Sequence, residues 1–115
     1  MTTDDITRIA ENALHELKAM DVQILDVSGL TTVTDTMIIA SGNSDRQVRG
    51  LADNVVKRAK ENGIRPLGVE GGEQAEWVLV DLGDVIVHIM HPGTRAYYQL
   101  EKLWTTEHQH ASTVT

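Results

Sequence analysis

The sequence predicts an α/β fold: a mixed five-stranded sheet with packed helices, in the order α-β-β-α-β-β-β-α. Three observations support this prediction. Two β-rich runs, residues 77–80 and 85–90, flank a short polar turn and are typical of a hairpin. Two amphipathic helical stretches and two short apolar runs precede them. Because strands and helices do not alternate regularly, the order does not fit a doubly wound dinucleotide-binding fold.

Residues 3–20 are predicted to form the first helix, with Thr2 or Thr3 as its cap. Two strands are predicted next, at residues 22–27 and 36–40. The second is short and continuously apolar, which is typical of a strand buried on both faces. The prediction of the first helix rests on apolar side chains at helical spacing, namely Ile6, Ile9, Ala10, Ala13, Leu14 and Leu17.

The second helix is predicted to begin at Ser44, which can form a capping box with Gln47, and to end before Gly63. Its buried side carries an unbroken apolar stripe. Its outer side is basic and is interpreted as a solvated face, with a weak contact to an anionic partner as the alternative. The basic residues are Arg46, Arg49, Lys57, Arg58 and Lys60.

A third strand is predicted at residues 67–70, and Pro66 before it indicates an edge or a strand start. After the hairpin, residues 94–104 are predicted to form the last helix. Its apolar stripe comprises Ala96, Tyr97, Leu100, Leu103 and Trp104. Residues 105–115 have no periodicity and are predicted to be a disordered tail, which leaves residues 1–104 as the single domain.

The hairpin is predicted to turn through a two-residue loop, Leu82-Gly83. The resulting pairs are Val80:Val85, Leu79:Ile86, Val78:Val87 and Trp77:His88. Because side chains alternate along a strand, one face carries Val78, Val80, Val85, Val87 and Ile89 and is predicted to be core. The other carries Trp77, Leu79, Ile86, His88 and Met90, and either a helix of this chain or a partner must cover it.

The composition of that second face is typical of the centre of a protein interface. Tyr97 and Tyr98 are adjacent, so they cannot both face inward; Tyr97 is predicted to be buried and Tyr98 exposed, with Arg95 nearby. A partner-binding surface is therefore predicted from Trp77, Leu79, Ile86, His88, Met90, Arg95 and Tyr98. The same surface could form a homodimer.

Charge and composition narrow the function classes. The chain has no cysteine, so it has neither disulfides nor thiolate metal sites. With no run long enough for a membrane span and no signal peptide, it is expected to be cytoplasmic, without a membrane partner. Net charge is −7, and residues 66–115 carry two basic and seven acidic side chains. That acidity disfavours nucleic-acid binding by the hairpin and favours a basic protein.

Catalysis has weaker support. Asp35, Glu70, Asp81 and Asp84 lie at predicted strand ends or loops, where a two-metal transferase would hold magnesium. No two carboxylates alternate on one strand, and turn or strand-start roles explain Asp81, Asp84 and Asp35 adequately. No catalytic residue, metal or cofactor is therefore predicted; a magnesium-dependent nucleotidyltransferase-like enzyme is kept as the alternative function.

Over residues 6–104 the sequence resembles the bacterial ribosomal silencing factor family (RsfS, also called the Iojap family). The shared motifs are Asp26-Val27-Ser28, Asp35 with Ile38-Ile39-Ala40-Ser41-Gly42-Asn43-Ser44, Glu70-Gly71, Trp77-Val78-Leu79-Val80-Asp81, Asp84-Val85-Ile86-Val87-His88 and residues 95–104. Each motif alone is weak, but together in this order and spacing they are specific. The sequence departs from the family by having Thr36-Met37 in place of an aromatic residue, and by Glu76 before the tryptophan.

The resemblance implies a nucleotidyltransferase-like fold without that enzyme's catalytic carboxylates. It also implies a translation repressor that binds ribosomal protein L-fourteen on the large subunit. Binding there would block joining of the small subunit when nutrients are scarce. By the same resemblance, Trp77, His88, Met90 and Tyr98 would lie on or near the protein contact.

Overall fold

The fold was obtained as a computed structural model that describes residues 1–71 and 75–104. The elements in chain order are α1 (Thr3–Glu16), β1 (Met20–Asp26), β2 (Thr36–Ser41), α2 (Asp45–Glu61), β3 (Gly68–Glu70), β4 (Trp77–Asp81), β5 (Val85–Met90) and α3 (Pro92–Tyr98). A short 3-10 helix, η1 (Leu100–Trp104), follows α3. This order confirms the predicted fold class, whereas the predicted disordered tail lies outside the described residues.

The five strands form one mixed sheet in the order β1-β2-β5-β4-β3. Only β2 and β5 pair in parallel; the other three pairs are antiparallel. The parallel pair lies at the centre, with β5 buried at every residue, so β2 and β5 need apolar cover on both faces. β3 lies at an edge and begins two residues after Pro66, as the proline predicts. Among the described residues, no helix is long and apolar enough to cross a membrane.

α1 and α2 contact each other and cover one face of the sheet. Thr2 and Asp5 form a reciprocal capping box at the start of α1, and the Ser44 hydroxyl accepts a hydrogen bond from the backbone N–H of Gln47 in α2. These two helices and the sheet enclose the main core. Its strand residues are those predicted for the core face of the hairpin, Val78, Val80, Val85, Val87 and Ile89, joined by Ile38 and Ala40 of β2.

The predicted hairpin register is wrong by two residues. Trp77 lies opposite Met90 and Leu79 opposite His88, and the loop consists of Gly83 and Asp84. Two-residue hairpin loops need a positive φ at their first position, and Gly83 adopts φ 89° there, a conformation in which Leu82 would be strained. Because a shift of two residues preserves the alternation of side chains, the predicted division into two faces is still correct.

The predicted last helix is interrupted. α3 begins at Pro92, two residues earlier than predicted, and ends before Gln99, whose left-handed φ of 49° turns the chain into η1. Because of the earlier start and this break, the side chains that face inward differ from those predicted. Tyr97 is 80% exposed, so its predicted burial is wrong, whereas Tyr98 is exposed as predicted. Arg95 is the buried side chain of α3 instead.

At Gly71 the backbone passes very close to Trp77, the first residue of β4. Gly71 has φ 86°, and a Cβ atom built on it would lie 2.1 Å from the backbone carbonyl oxygen of Trp77. At Gly68, three residues earlier, an added Cβ atom would meet open space, and φ lies outside the left-handed region. We expect Gly71→Ala to lower the free energy of unfolding by at least about 2 kcal/mol, because strain and a backbone clash combine.

Gly68→Ala is the matched control, and we expect it to be neutral or slightly stabilising because alanine restricts the unfolded chain. Urea unfolding followed by circular dichroism measures both variants. Equal stabilities for the two variants would contradict the close approach of Gly71 to Trp77.

Candidate docking surface

The sheet face opposite α1 and α2 is only partly covered by the residues that the structure describes. Val27, Met37, Ile39 and Met90 form a second buried cluster there, against which Leu25, Trp77 and Leu100 pack. Leu100 belongs to η1, so the break after α3 brings this residue back over the sheet. The described residues therefore cover the β2 side of this face and leave Trp77 and Leu79 on β4 half-buried.

The accessible part of this face consists of three aromatic side chains and one leucine, which we call the docking surface: Trp77, Leu79, Tyr97 and Tyr98. The ring of Tyr98 lies 5.0 Å from that of Trp77 between centroids, and Tyr97 meets Tyr98 edge to face, also at 5.0 Å. Tyr98 is 54% exposed although it packs against Trp77. Rigid aromatic side chains that stay accessible while supporting one another are typical of interface anchors.

His88 lies beneath Trp77 and orients it. The indole N–H of Trp77 donates a hydrogen bond of 2.9 Å to Nδ1 of His88, whose side chain is 6% exposed. Burial lowers the pKa of His88 to about 4. The imidazole is therefore neutral near pH 7, with Nδ1 as the acceptor and its proton on Nε2. Its place in the structure is to hold Trp77, rather than to present a ring to a partner.

Two more predicted binding residues are buried by the chain itself. Met90 has no exposed surface and belongs to the second cluster, while Ile86 is buried on the same face. The prediction that the chain leaves this whole face uncovered is wrong for Ile86, His88 and Met90, because β5 is central and has β2 beside it. Direct partner contact stays a prediction for Trp77, Leu79 and Tyr98, which are accessible.

Arg95 was predicted to extend the patch, but it is buried and bonded within the protein. Its guanidinium donates hydrogen bonds to Glu101 Oε2 at 2.8 Å, to the carbonyl oxygen of Asp21 at 2.7 Å and to the Ser41 hydroxyl at 3.0 Å. It thus joins α3 to η1, β1 and β2. Burial acts to raise the pKa of Glu101, yet hydrogen bonds from its own backbone and from Arg95 leave that pKa below its ordinary value.

Carboxylates border the docking surface. Glu70 lies opposite Leu79 on the neighbouring strand, and Glu76 directly precedes Trp77; both are exposed. Asp81 shares the face, but its carboxylate accepts the backbone N–H of Gly83 at 2.8 Å and so has the turn role considered above. An apolar centre with an acidic border is complementary to a basic protein surface.

The carboxylates considered for catalysis do not assemble into a site. Asp84 accepts a hydrogen bond from the Thr3 hydroxyl at 3.3 Å, and Asp35 pairs through its backbone with Asp84. Within residues 1–71 and 75–104, no three histidine or acidic side chains are grouped closely enough to hold a metal ion.

The fold defines a small α/β domain with a cluster of partly exposed aromatic side chains on one face of its sheet. Comparison with known proteins identifies its family. The family model described as "Ribosomal silencing factor during starvation" matches residues 1–115. Ribosomal silencing factors of Chromobacterium violaceum and Bacillus subtilis are 47% and 46% identical over 104 residues, which is 90% of this chain and 85% and 88% of theirs. The chain belongs to the RsfS family.

Solved structures give the same result. A crystal structure of a Chromobacterium violaceum protein superposes with a TM-score of 0.89 at 47% identity, and the match covers 90% of this chain and 87% of that one. A second, from Bacillus halodurans, gives 0.81 at 46% identity, covering 88% and 94%. A mouse protein named for mitochondrial assembly of the ribosomal large subunit is 35% identical over 95 residues, covering 80% of this chain and 42% of its own length. Likeness to nucleotidyltransferases stays a prediction.

The burial of His88 as a neutral imidazole makes stability depend on pH. The pKa of His88 is about 4 in the folded protein, against an ordinary value of 6.5, so the unfolded chain takes up the proton first as the pH falls. This stabilising contribution is fully present above pH 6.5 and is lost progressively towards pH 4. Between pH 7 and 4.5 we expect His88 alone to lower the free energy of unfolding by on the order of 2 to 3 kcal/mol.

His88→Asn tests this expectation, because asparagine does not titrate while its carbonyl oxygen can still accept the indole N–H. Urea unfolding at both pH values should show a smaller loss in the variant than in the unchanged protein. Identical losses would mean that other groups account for the pH dependence.

Proposed function

We propose that this protein binds the large ribosomal subunit through ribosomal protein L-fourteen and blocks subunit joining, repressing translation when nutrients are limiting. The observation that carries the proposal is the contact between the partly accessible rings of Trp77 and Tyr98, bordered by the exposed carboxylates of Glu70 and Glu76. Membership of the RsfS family supports the ribosome as the target, since its relatives are named ribosomal silencing factors.

The chemistry of the surface favours a basic ribosomal protein over bare RNA. Trp77, Leu79 and Tyr98 provide apolar area that becomes buried on docking, and their packing in the free protein reduces the conformational entropy lost on binding. Glu70 and Glu76 would repel phosphates and attract lysine and arginine side chains.

The mechanism is steric and involves no reaction. A domain whose described Cα atoms extend 44 × 33 × 21 Å would occupy space that the small subunit needs at the subunit interface. We propose residues 1–104 as the unit that acts, with a role that is not enzymatic. The family name points the same way.

Tyr98→Ala should separate binding from folding. More than half of its surface is exposed, so we expect a native circular dichroism spectrum and at least a roughly tenfold weaker affinity for isolated large subunits. Trp77→Ala should weaken binding at least as strongly, with some loss of stability because His88 then lacks its donor. Val33→Ala is the control, since Val33 is 72% exposed in the connection between β1 and β2.

Co-sedimentation in sucrose gradients measures these affinities, and a light-scattering assay of subunit joining measures repression. The unchanged protein should appear with large subunits only and should slow their association with small subunits. Full binding by Tyr98→Ala would remove this residue from the contact, and absence of the unchanged protein from both subunit fractions would refute the proposal.

Self-association is the competing use of the docking surface. We propose that any homodimer forms through Trp77 and Tyr98, because their rings are in contact and Tyr98 is 54% exposed. Light scattering over a dilution series should then show a concentration-dependent mass that Tyr98→Ala removes. A dimer unaffected by Tyr98→Ala would assign self-association to a different surface.

A further inference from the structure

The outer flank of α2 carries a row of basic side chains that the docking surface does not use. Arg46, Arg49, Lys57 and Lys60 are all exposed, and Asp53 is the one acidic residue between them in sequence. At 1.5 Å per residue the row extends roughly 21 Å along the helix. Residues 44–65 carry six basic and three acidic side chains, whereas the segments before and after them are both acidic.

Contacts on the other two sides of α2 establish which way the row faces. One side is buried against the sheet, chiefly through Val48, Leu51 and Val55. Another side faces α1: the Asn54 amide donates to the carbonyl oxygen of Ala13 at 2.8 Å, and Gln47 and Arg58 also hydrogen-bond to the end of the first helix. With about 100° between successive residues, Arg49 and Lys60 lie on the side turned away from α1, while Arg46 and Lys57 lie on the outer side, opposite the sheet.

The side turned away from α1 points past the β4–β3 edge of the sheet. α2 packs on β4 and β5, while α1 packs on β2 and β5, so the flank away from α1 lies towards β4 and β3. β4 also carries Trp77 and Leu79 on its opposite face. The basic row and the docking surface therefore lie on the two sides of one sheet edge, close enough for one large partner to reach both.

The two lysines of the row are exposed, although the charge of Lys57 helps to lower the pKa of Glu16 on α1. Arg58 pairs with Glu16 at 2.9 Å and with Glu61 at 2.8 Å, which accounts for its charge. Lys57 and Lys60, by contrast, form no ion pair with any of the residues that the structure describes. A positive row on a protein of net charge −7 would repel the basic protein that the docking surface fits, and it would attract phosphates.

We propose that the basic row of α2 contacts the phosphate backbone of ribosomal RNA next to the protein bound by the docking surface. This inference rests on the proposed function and adds a second, chemically different contact to it. Phosphate contacts fix position and orientation without reading sequence, so the row complements an acidic hairpin that avoids RNA. A large subunit offers both chemistries side by side, which a free basic protein does not.

The test is the salt dependence of binding to purified large subunits. Lys57→Gln/Lys60→Gln removes two charges from the row, and glutamine keeps a high helix propensity. Arg8→Gln/Lys18→Gln is the matched control, because it changes the net charge equally on α1 and the turn after it. Affinities are measured from about 0.05 to roughly 0.3 M salt, the range over which such contacts weaken strongly.

Losing two phosphate contacts should reduce the magnitude of the slope of log K against log salt by roughly 1.4 to 1.8. Binding at about 0.1 M salt should weaken at least tenfold, while the control keeps the original slope. Circular dichroism should show that both variants remain folded.

Three results would overturn the inference. An unchanged slope for Lys57→Gln/Lys60→Gln would mean that the row is only solvated. Equal reductions in both double variants would indicate long-range attraction without contact. If the unchanged protein fails to bind large subunits at all, the proposed function and this contact both fail. If the unchanged protein binds and Lys57→Gln/Lys60→Gln keeps its slope, only the RNA contact is refuted.

Discussion

The central strand β5 sets the constraint on which the rest of the structure depends. All six residues from Val85 to Met90 are buried, and the strand pairs with β2 on one side and β4 on the other. A central strand that is apolar on both faces needs cover on both. α1 and α2 cover the centre of one face, whereas among the described residues the second is covered by α3, η1 and neighbouring side chains. This thinner cover leaves Trp77 and Leu79 of β4 partly accessible, which is the basis of the proposed docking surface.

The hairpin shows how far the sequence could predict which residues of this face are buried and which are accessible. Alternation identified both faces, and a register error of two residues left them unchanged because the side-chain period is two. Alternation could not distinguish His88 and Met90 from Trp77 and Leu79, since all four share one face. The difference arises from strand order: β5 is central, whereas β4 has only the three-residue β3 beyond it. Strand order is a tertiary property that a local pattern does not encode.

The last segment was predicted less well, also for a tertiary reason. Local periodicity favours one continuous helix through Tyr97 and Leu100, whereas the structure bends at Gln99 into a left-handed conformation. That bend is compatible with a buried ion pair between Arg95 and Glu101, six residues apart and therefore on different sides of a straight helix. The only local signal was Arg95 itself, a charged residue three positions into a segment that begins with proline.

Arg95 connects this bend to the shape of the docking surface. Its bonds to Asp21 and Ser41 fix α3 against β1 and β2, while its bond to Glu101 fixes η1. Leu100, held between these anchors, covers part of the second face, and Tyr98 is placed against Trp77. Removing one partner of a buried ion pair leaves a charge without compensation, which typically costs about 3 to 5 kcal/mol. A buried arginine bonded within its own chain therefore helps to determine where the accessible aromatic rings lie.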